Sequence, residues 1–161
     1  MVPAVATPVE ATVATNGSTP FPMTAPGAAT DRFTFRFETS GLADDDIDAD
    51  CGPAGTSGSG TANELIQTID VPGGAGFTCV VSGFSAGGGR TSSTFTATWW
   101  FVNQNVPEGN ATVPATTAGR LLGQPVSVPV SWTGLDAAKR YFGYVENTAS
   151  GVTSKTVLSL G

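Results

Sequence analysis

Arg32-Phe33-Thr34-Phe35-Arg36-Phe37-Glu38 alternates phenylalanine with a polar side chain at every step. Side chains on an extended chain point to opposite faces in turn, so the three phenylalanines share one face and the polar residues share the other. That is the signature of a strand with one face on a core. Three further runs repeat it. Phe77, Cys79 and Val81 share a face, as do Phe95, Ala97, Trp99 and Phe101, and Val126, Val128, Val130 and Trp132 form a fourth stripe. Between the runs lie the turn-forming clusters Gly52–Gly60, Pro72–Gly76 and Gly83–Gly89. No stretch carries a helical period with caps, beyond one helical turn at Asp136–Tyr141. Many short strands punctuated by Gly and Pro predict an all-β chain, an antiparallel β-sandwich of the jelly-roll or immunoglobulin-like kind.

The chain divides by composition. Residues 1–30 hold a single charge, Glu10, and five prolines, and they read as an extended Pro/Ala/Thr-rich leader or linker with one short strand at Val9–Ala14. Residues 31–104 are the expected sandwich. A polar stretch, Asn103–Gly109, separates it from a second β module over residues 105–161. The second module is small for independent stability, so it is expected to pack on the first.

Composition also excludes functions. The 161 residues contain no histidine, which removes Ser-His-Asp and Cys-His catalysis and His-ligated metals from this chain. Charged residues make up only 12%, and the net charge is −6, opposite to what nucleic acid or an anionic membrane surface attracts. No run of apolar residues is long enough for membrane insertion, and the first residues lack the basic start and apolar core of a signal peptide. The acidic, Thr- and Gly-rich, Lys-poor composition suits an extracellular or cell-surface protein. There Cys51 and Cys79, the chain's two cysteines, are expected to form a disulfide. Parity agrees, because Cys51 shares a face with Ile47 and Ala49, and Cys79 with Phe77 and Val81.

Two features invite a functional reading. Asp44-Asp45-Asp46-Ile47-Asp48-Ala49-Asp50 packs five carboxylates into seven residues. On an extended strand Asp44, Asp46, Asp48 and Asp50 project together, an oxygen-only set suited to calcium, the one cofactor the sequence suggests. The other reading is a solvated acidic turn. Trp100, on the opposite face from Trp99, is a candidate platform for a sugar ring or a partner side chain. The other reading there is cover by the second module. No catalytic residues stand out, since Gly-x-Ser-x-Gly and Ser-x-x-Lys are both missing.

One further stretch, Val128-Pro129-Val130-Ser131-Trp132-Thr133-Gly134-Leu135-Asp136-Ala137-Ala138-Lys139-Arg140-Tyr141-Phe142-Gly143-Tyr144-Val145-Glu146, resembles the terminal β-domain of secreted bacterial subtilisin-like serine proteases. Members there carry a V-x-W-x-G-L-D-x-x-x-R-Y-x-G pattern. Upstream, Asp46-Ile47-Asp48, a Gly/Ser loop and Gly76–Phe84 are similar to the pre-peptidase C-terminal domain, with Ala49 and Asp50 standing where the family has an apolar and aromatic pair. The resemblance implies a C-terminal accessory region, a pre-peptidase C-terminal-like domain followed by a fibronectin- or immunoglobulin-like module. It implies no activity of its own and roles in binding, surface attachment or secretion. Its partners would be a protease domain in a longer precursor, or a polymeric substrate. Two rivals remain. One is a surface filament or adhesin subunit that donates Val5–Thr15 as a strand to copies of itself. The other is a carbohydrate-binding module using Trp100.

Overall fold

The computed structural model describes residues 2–3, 8–114, 127–149 and 151–160. In chain order the strands are β1 (Val2–Pro3), β2 (Val9–Ala14), β3 (Ser18–Thr24), β4 (Arg32–Gly41), β5 (Asp46–Asp50), β6 (Thr56–Gly58) and β7 (Leu65–Pro72). They continue as β8 (Gly76–Ser85), β9 (Ser92–Asn103), β10 (Ala111–Thr112), β11 (Ser131–Trp132), β12 (Tyr141–Ala149) and β13 (Val152–Leu160). Among the described residues there is no α-helix, only two single 3₁₀ turns. The fold is all-β, and the chain splits into two units, Ala4–Val106 and Pro107–Gly161 with Met1–Pro3.

In the larger unit two antiparallel four-stranded sheets face each other, ordered β2-β9-β4-β7 and β3-β8-β5-β6. The Phe33, Phe35 and Phe37 face of β4 is buried as its alternation demands, together with Phe95, Ala97 and Phe101 of β9. From the other sheet Phe21 reaches Phe37, Phe95 and Trp99 at centroid distances of 5.8, 6.0 and 6.3 Å. Phe77 sits edge-on to Phe35 at 5.0 Å and 6.2 Å from Phe101. These tilted and edge-to-face contacts lie in the range where aromatic pairs add about 0.5–1.5 kcal/mol beyond area burial.

Cys51 and Cys79 are disulfide-bonded, and both are fully buried. The bridge ties the residue just after β5 to β8, and the Met23 sulfur lies 3.8 Å from the Cys79 sulfur. Ile47, Ala49, Cys51, Cys79 and Val81 are all buried, as the parity requires.

Val9–Ala14 is the strand the sequence suggests, paired with β9 from Val9↔Ala97 to Ala14↔Ser92, and Ser18–Thr24 corrects the rest of the expected leader. Ser18–Thr24 is a second strand, paired with β8 despite Pro20 and Pro22. Both are edge strands. Proline lacks a donor, so it is tolerated only where its nitrogen faces away from the neighbour, and here both prolines have the same parity. Phe21 and Met23, of the other parity, enter the core. Prolines that read as a linker therefore mark a protected edge. On the opposite edge, β7 bulges where Phe33 pairs with Val71 and Phe35 with Thr68; Asp70 there takes a positive φ of 72° and bonds Arg32 at 3.2 Å.

Part of the second face of β4 and β9 is covered as well, although Ser40 and Thr94 at its end are exposed. Thr34, Thr98, Trp100 and Val102 are buried, and Arg36 pairs with Glu38 on that face.

The smaller unit holds the β12–β13 hairpin with β1, and the short pair β10–β11. Among its described residues Tyr141, Phe142 and Gly143 are buried. The expected valine stripe is not a strand: Ser127 to Val130 are irregular, Val126 lies outside the described residues, and pairing starts only at Ser131. Trp132, expected in a core, is 47% exposed. Pro129, which lacks a donor, interrupts the run, and the β10–β11 ladder that follows is only two residues long.

Burial of both sulfurs has a kinetic consequence. Reductant should leave the Cys51–Cys79 bond intact in the folded protein and cleave it quickly once denaturant is added. In a two-state denaturant titration, replacing both cysteines by alanine should cost about 3–4 kcal/mol for a loop of this length.

Candidate functional site

The acidic run crosses a turn before it becomes a strand. The Asp45 N–H donates to the Leu42 carbonyl at 3.1 Å, closing a turn, and β5 starts at Asp46. The turn sends the four aspartates expected to converge in different directions. Asp44 is exposed and pairs with Arg90 at 3.0 Å. Asp50 accepts the Gly52 N–H at 2.7 Å, capping the turn into the disulfide. Asp46 and Asp48 stay on the outer side of β5, alternating with buried Ile47 and Ala49. Among the described residues no group of three or more acidic or cysteine side chains is placed to hold a metal ion.

Asp45, not one of those four, is the buried member, 1% exposed. Its Oδ1 accepts from Arg90 Nη2 at 2.5 Å and from the Gly87 N–H at 3.0 Å, and Arg90 Nε donates to the Gly87 carbonyl at 2.8 Å. Arg90 thus ties the turn before β5 to the loop between β8 and β9. The sequence holds a signal for this that parity does not use: Arg90 is the only basic residue between Arg36 and Arg120. Arg36 is nearer the run in sequence, but it lies within β4 and pairs with Glu38, which leaves Arg90 as the next cation along the chain.

A second buried acid, Glu64, is 1% exposed and has no cation. The Ser57 and Ser59 hydroxyls each donate to it at 2.5 Å, and the Ser59 N–H at 3.2 Å. Behind it, Thr39 accepts the Glu64 N–H and donates to the Ala62 carbonyl, both at 2.9 Å. A carboxylate enclosed by three donors is satisfied as an anchor, and it holds the β6–β7 connection on the sandwich. Nothing in the sequence separated Glu64 from a surface acid, because its partners are serines in a stretch that reads as a flexible loop.

Asp48 lies between Gly58 of β6 and Ser82 of β8, its pairing partners. A Cβ on Gly58 would come within 2.8 Å of the Asp48 Oδ1, so the glycine makes room for the carboxylate. Burial raises the Asp48 pKa above its usual 3.8, and the charges of Glu64 and Asp46 raise it further. A shallow cleft of about 370 Å³ opens here, lined by Asp48, Asp50, Thr56, Ser57, Ser82 and Phe84.

Trp100 takes no part in this cleft. It is fully buried, so its ring presents no exposed platform, whereas Trp99 is half-buried against Phe21. Val9–Ala14, the described core of the segment expected to be donated to a neighbour, is paired within its own chain. The Thr12 carbonyl on that edge is capped at 3.0 Å by the Thr19 hydroxyl.

Comparison with known protein families, with curated proteins and with solved structures gives no match.

Two outcomes follow for the acids. A folded pKa raised above the unfolded value means that ionisation of Asp48 weakens the fold: the penalty is absent below pH 3.8 and complete above the raised pKa. Asp48→Asn should therefore melt higher than the parent at pH 7, with the gap closing by pH 3; an equal gap at both pH values would show another cause. Melting at matched ionic strength should be the same in millimolar CaCl₂ and in excess EGTA, because Asp44 is held by Arg90 and Asp50 by the Gly52 N–H, which leaves only Asp46 and Asp48 together on the outer side of β5.

Proposed function

We propose that this chain is a non-catalytic accessory module of an extracellular or cell-surface protein, serving to bind a polymeric substrate or a surface. The observation that carries the reading is the buried Cys51–Cys79 disulfide, which belongs with an oxidising compartment. Among the described residues no helix is long and apolar enough to cross a membrane. The resemblance to the C-terminal accessory region of secreted subtilisin-like proteases supports the same reading. Its most specific residues have a local physical role here: the Tyr141 hydroxyl oxygen accepts the Asp136 N–H at 2.9 Å, and Asp136 Oδ1 accepts the Ala138 N–H at 2.9 Å. The W-x-G-L-D-x-x-x-R-Y pattern thus spells a hydrogen-bonded corner entering β12, a role that needs no chemistry. The two deepest acids of the larger unit, Asp45 and Glu64, also serve as structural anchors.

Two measurements test this. Protein from its source cells should give no free thiol under denaturing, non-reducing alkylation. The precursor detected there should have an intact mass several-fold above 16.2 kDa. Two free cysteines in a chain of this mass alone, found inside cells, would sink the proposal.

A further inference from the structure

The smaller unit carries a cleft of about 310 Å³ lined in part by Trp132, which is 47% exposed. Thr133, Asp136, Lys139, Tyr141 and Leu160 line it together with Trp132. We propose that this cleft binds a neutral polysaccharide, one sugar ring stacking on Trp132 while Thr133, Asp136 and Lys139 hydrogen-bond its hydroxyls. The inference rests on the accessory-module reading and names the polymer such a module would hold.

Three observations converge on that ligand. An indole 47% exposed at the mouth of a concavity leaves a flat apolar face in water, and the C–H face of a sugar ring has the shape and amphipathic character to cover it. The polar rim offers both kinds of partner that hydroxyls need: Lys139 only donates, the Asp136 carboxylate only accepts, and Thr133 does either. Opposite signs on Asp136 and Lys139 offset each other, so a neutral polyol gains from both while an anionic or cationic ligand meets a like charge.

The cleft is also held in shape before any ligand arrives. Its turn is fixed by the Tyr141 and Ala138 bonds to Asp136 and by the Lys139 N–H to the Asp136 carbonyl at 3.0 Å. The other end is held by the Thr133 N–H, which donates to the Asn110 carbonyl at 3.1 Å. Gly134, with φ +70°, makes the bend between them and has no neighbour within 4 Å of a Cβ position, which leaves the entrance open. A prebuilt site keeps the ordering cost of binding low.

Isothermal titration of the full chain with cellohexaose, chitohexaose and maltohexaose tests the site. At least one of them should bind saturably, and Trp132→Ala should weaken it about tenfold or more, the scale of a lost aromatic stacking contact. Trp132→Phe should fall between, and Lys139→Ala should weaken binding with the indole intact. Should Trp132→Ala lose its folded circular dichroism, the Phe and Lys139 variants carry the test. Absence of binding by all three sugars, affinity unchanged in the Trp132 or Lys139 variants, or binding of a proline-rich peptide in place of the sugars would overturn the proposal. An oxidised, large secreted precursor with no sugar binding would sink this site alone and leave the accessory reading standing.

Discussion

Three phenylalanine rings on one face of β4 cannot be left in water, and burying them requires a second sheet with rings of its own. Each costs about 1.5–3 kcal/mol to expose. Phe21 and Phe77 supply the roof, and both come from the sheet that contains neither β4 nor β9. Once this interleaving is set, the rest of the larger unit has little freedom. β5 and β8 must turn Ile47, Ala49, Cys51, Cys79 and Val81 inward, and the two sulfurs then meet in the middle of the layer.

A two-layer sandwich has four edges, and each invites unwanted pairing. The edges treated most explicitly lie at the N-terminal end. Pro20 and Pro22 remove donors from β3, and the Thr19 hydroxyl covers an acceptor of β2. β7 is broken by its bulge at Asp70 and β6 is only three residues long. These devices suit a chain that works as a discrete module better than one that assembles through open strands.

Electrostatics takes different forms on the two units. In the larger one, acids outnumber nearby cations, and the fold copes by burying Asp45 against Arg90, enclosing Glu64 in serine hydroxyls, and leaving Asp48 with a raised pKa. In the smaller one, Asp136 and Lys139 stand together at the rim of a cleft beside an open indole. The first arrangement spends its charges on holding loops. The second leaves them facing solvent, where a ligand can use them.

Alternation along a strand is a local property, so it could be read directly: the burial of Phe33, Phe35 and Phe37, of Cys79 and Val81, and of Phe95, Ala97 and Phe101 follows from period two alone, as does the inward parity that brings the cysteines together. The sequence by itself therefore determined the all-β class, the core stripes of β4, β8 and β9 and the disulfide, but not the valine stripe before Trp132. It could not decide what lies opposite a given residue, because that depends on which strand becomes whose neighbour. Pro20 and Pro22 looked like a linker until edge placement made them tolerable. Trp100 read either as a surface platform or as a covered ring, and the structure buries it, while Trp132, which looked like core, stands half exposed on a β11 that has a single two-residue partner. Asp45 and Glu64 became anchors only when Arg90, Ser57 and Ser59 arrived from other parts of the chain. Those are long-range contacts, and only the tertiary structure could supply them.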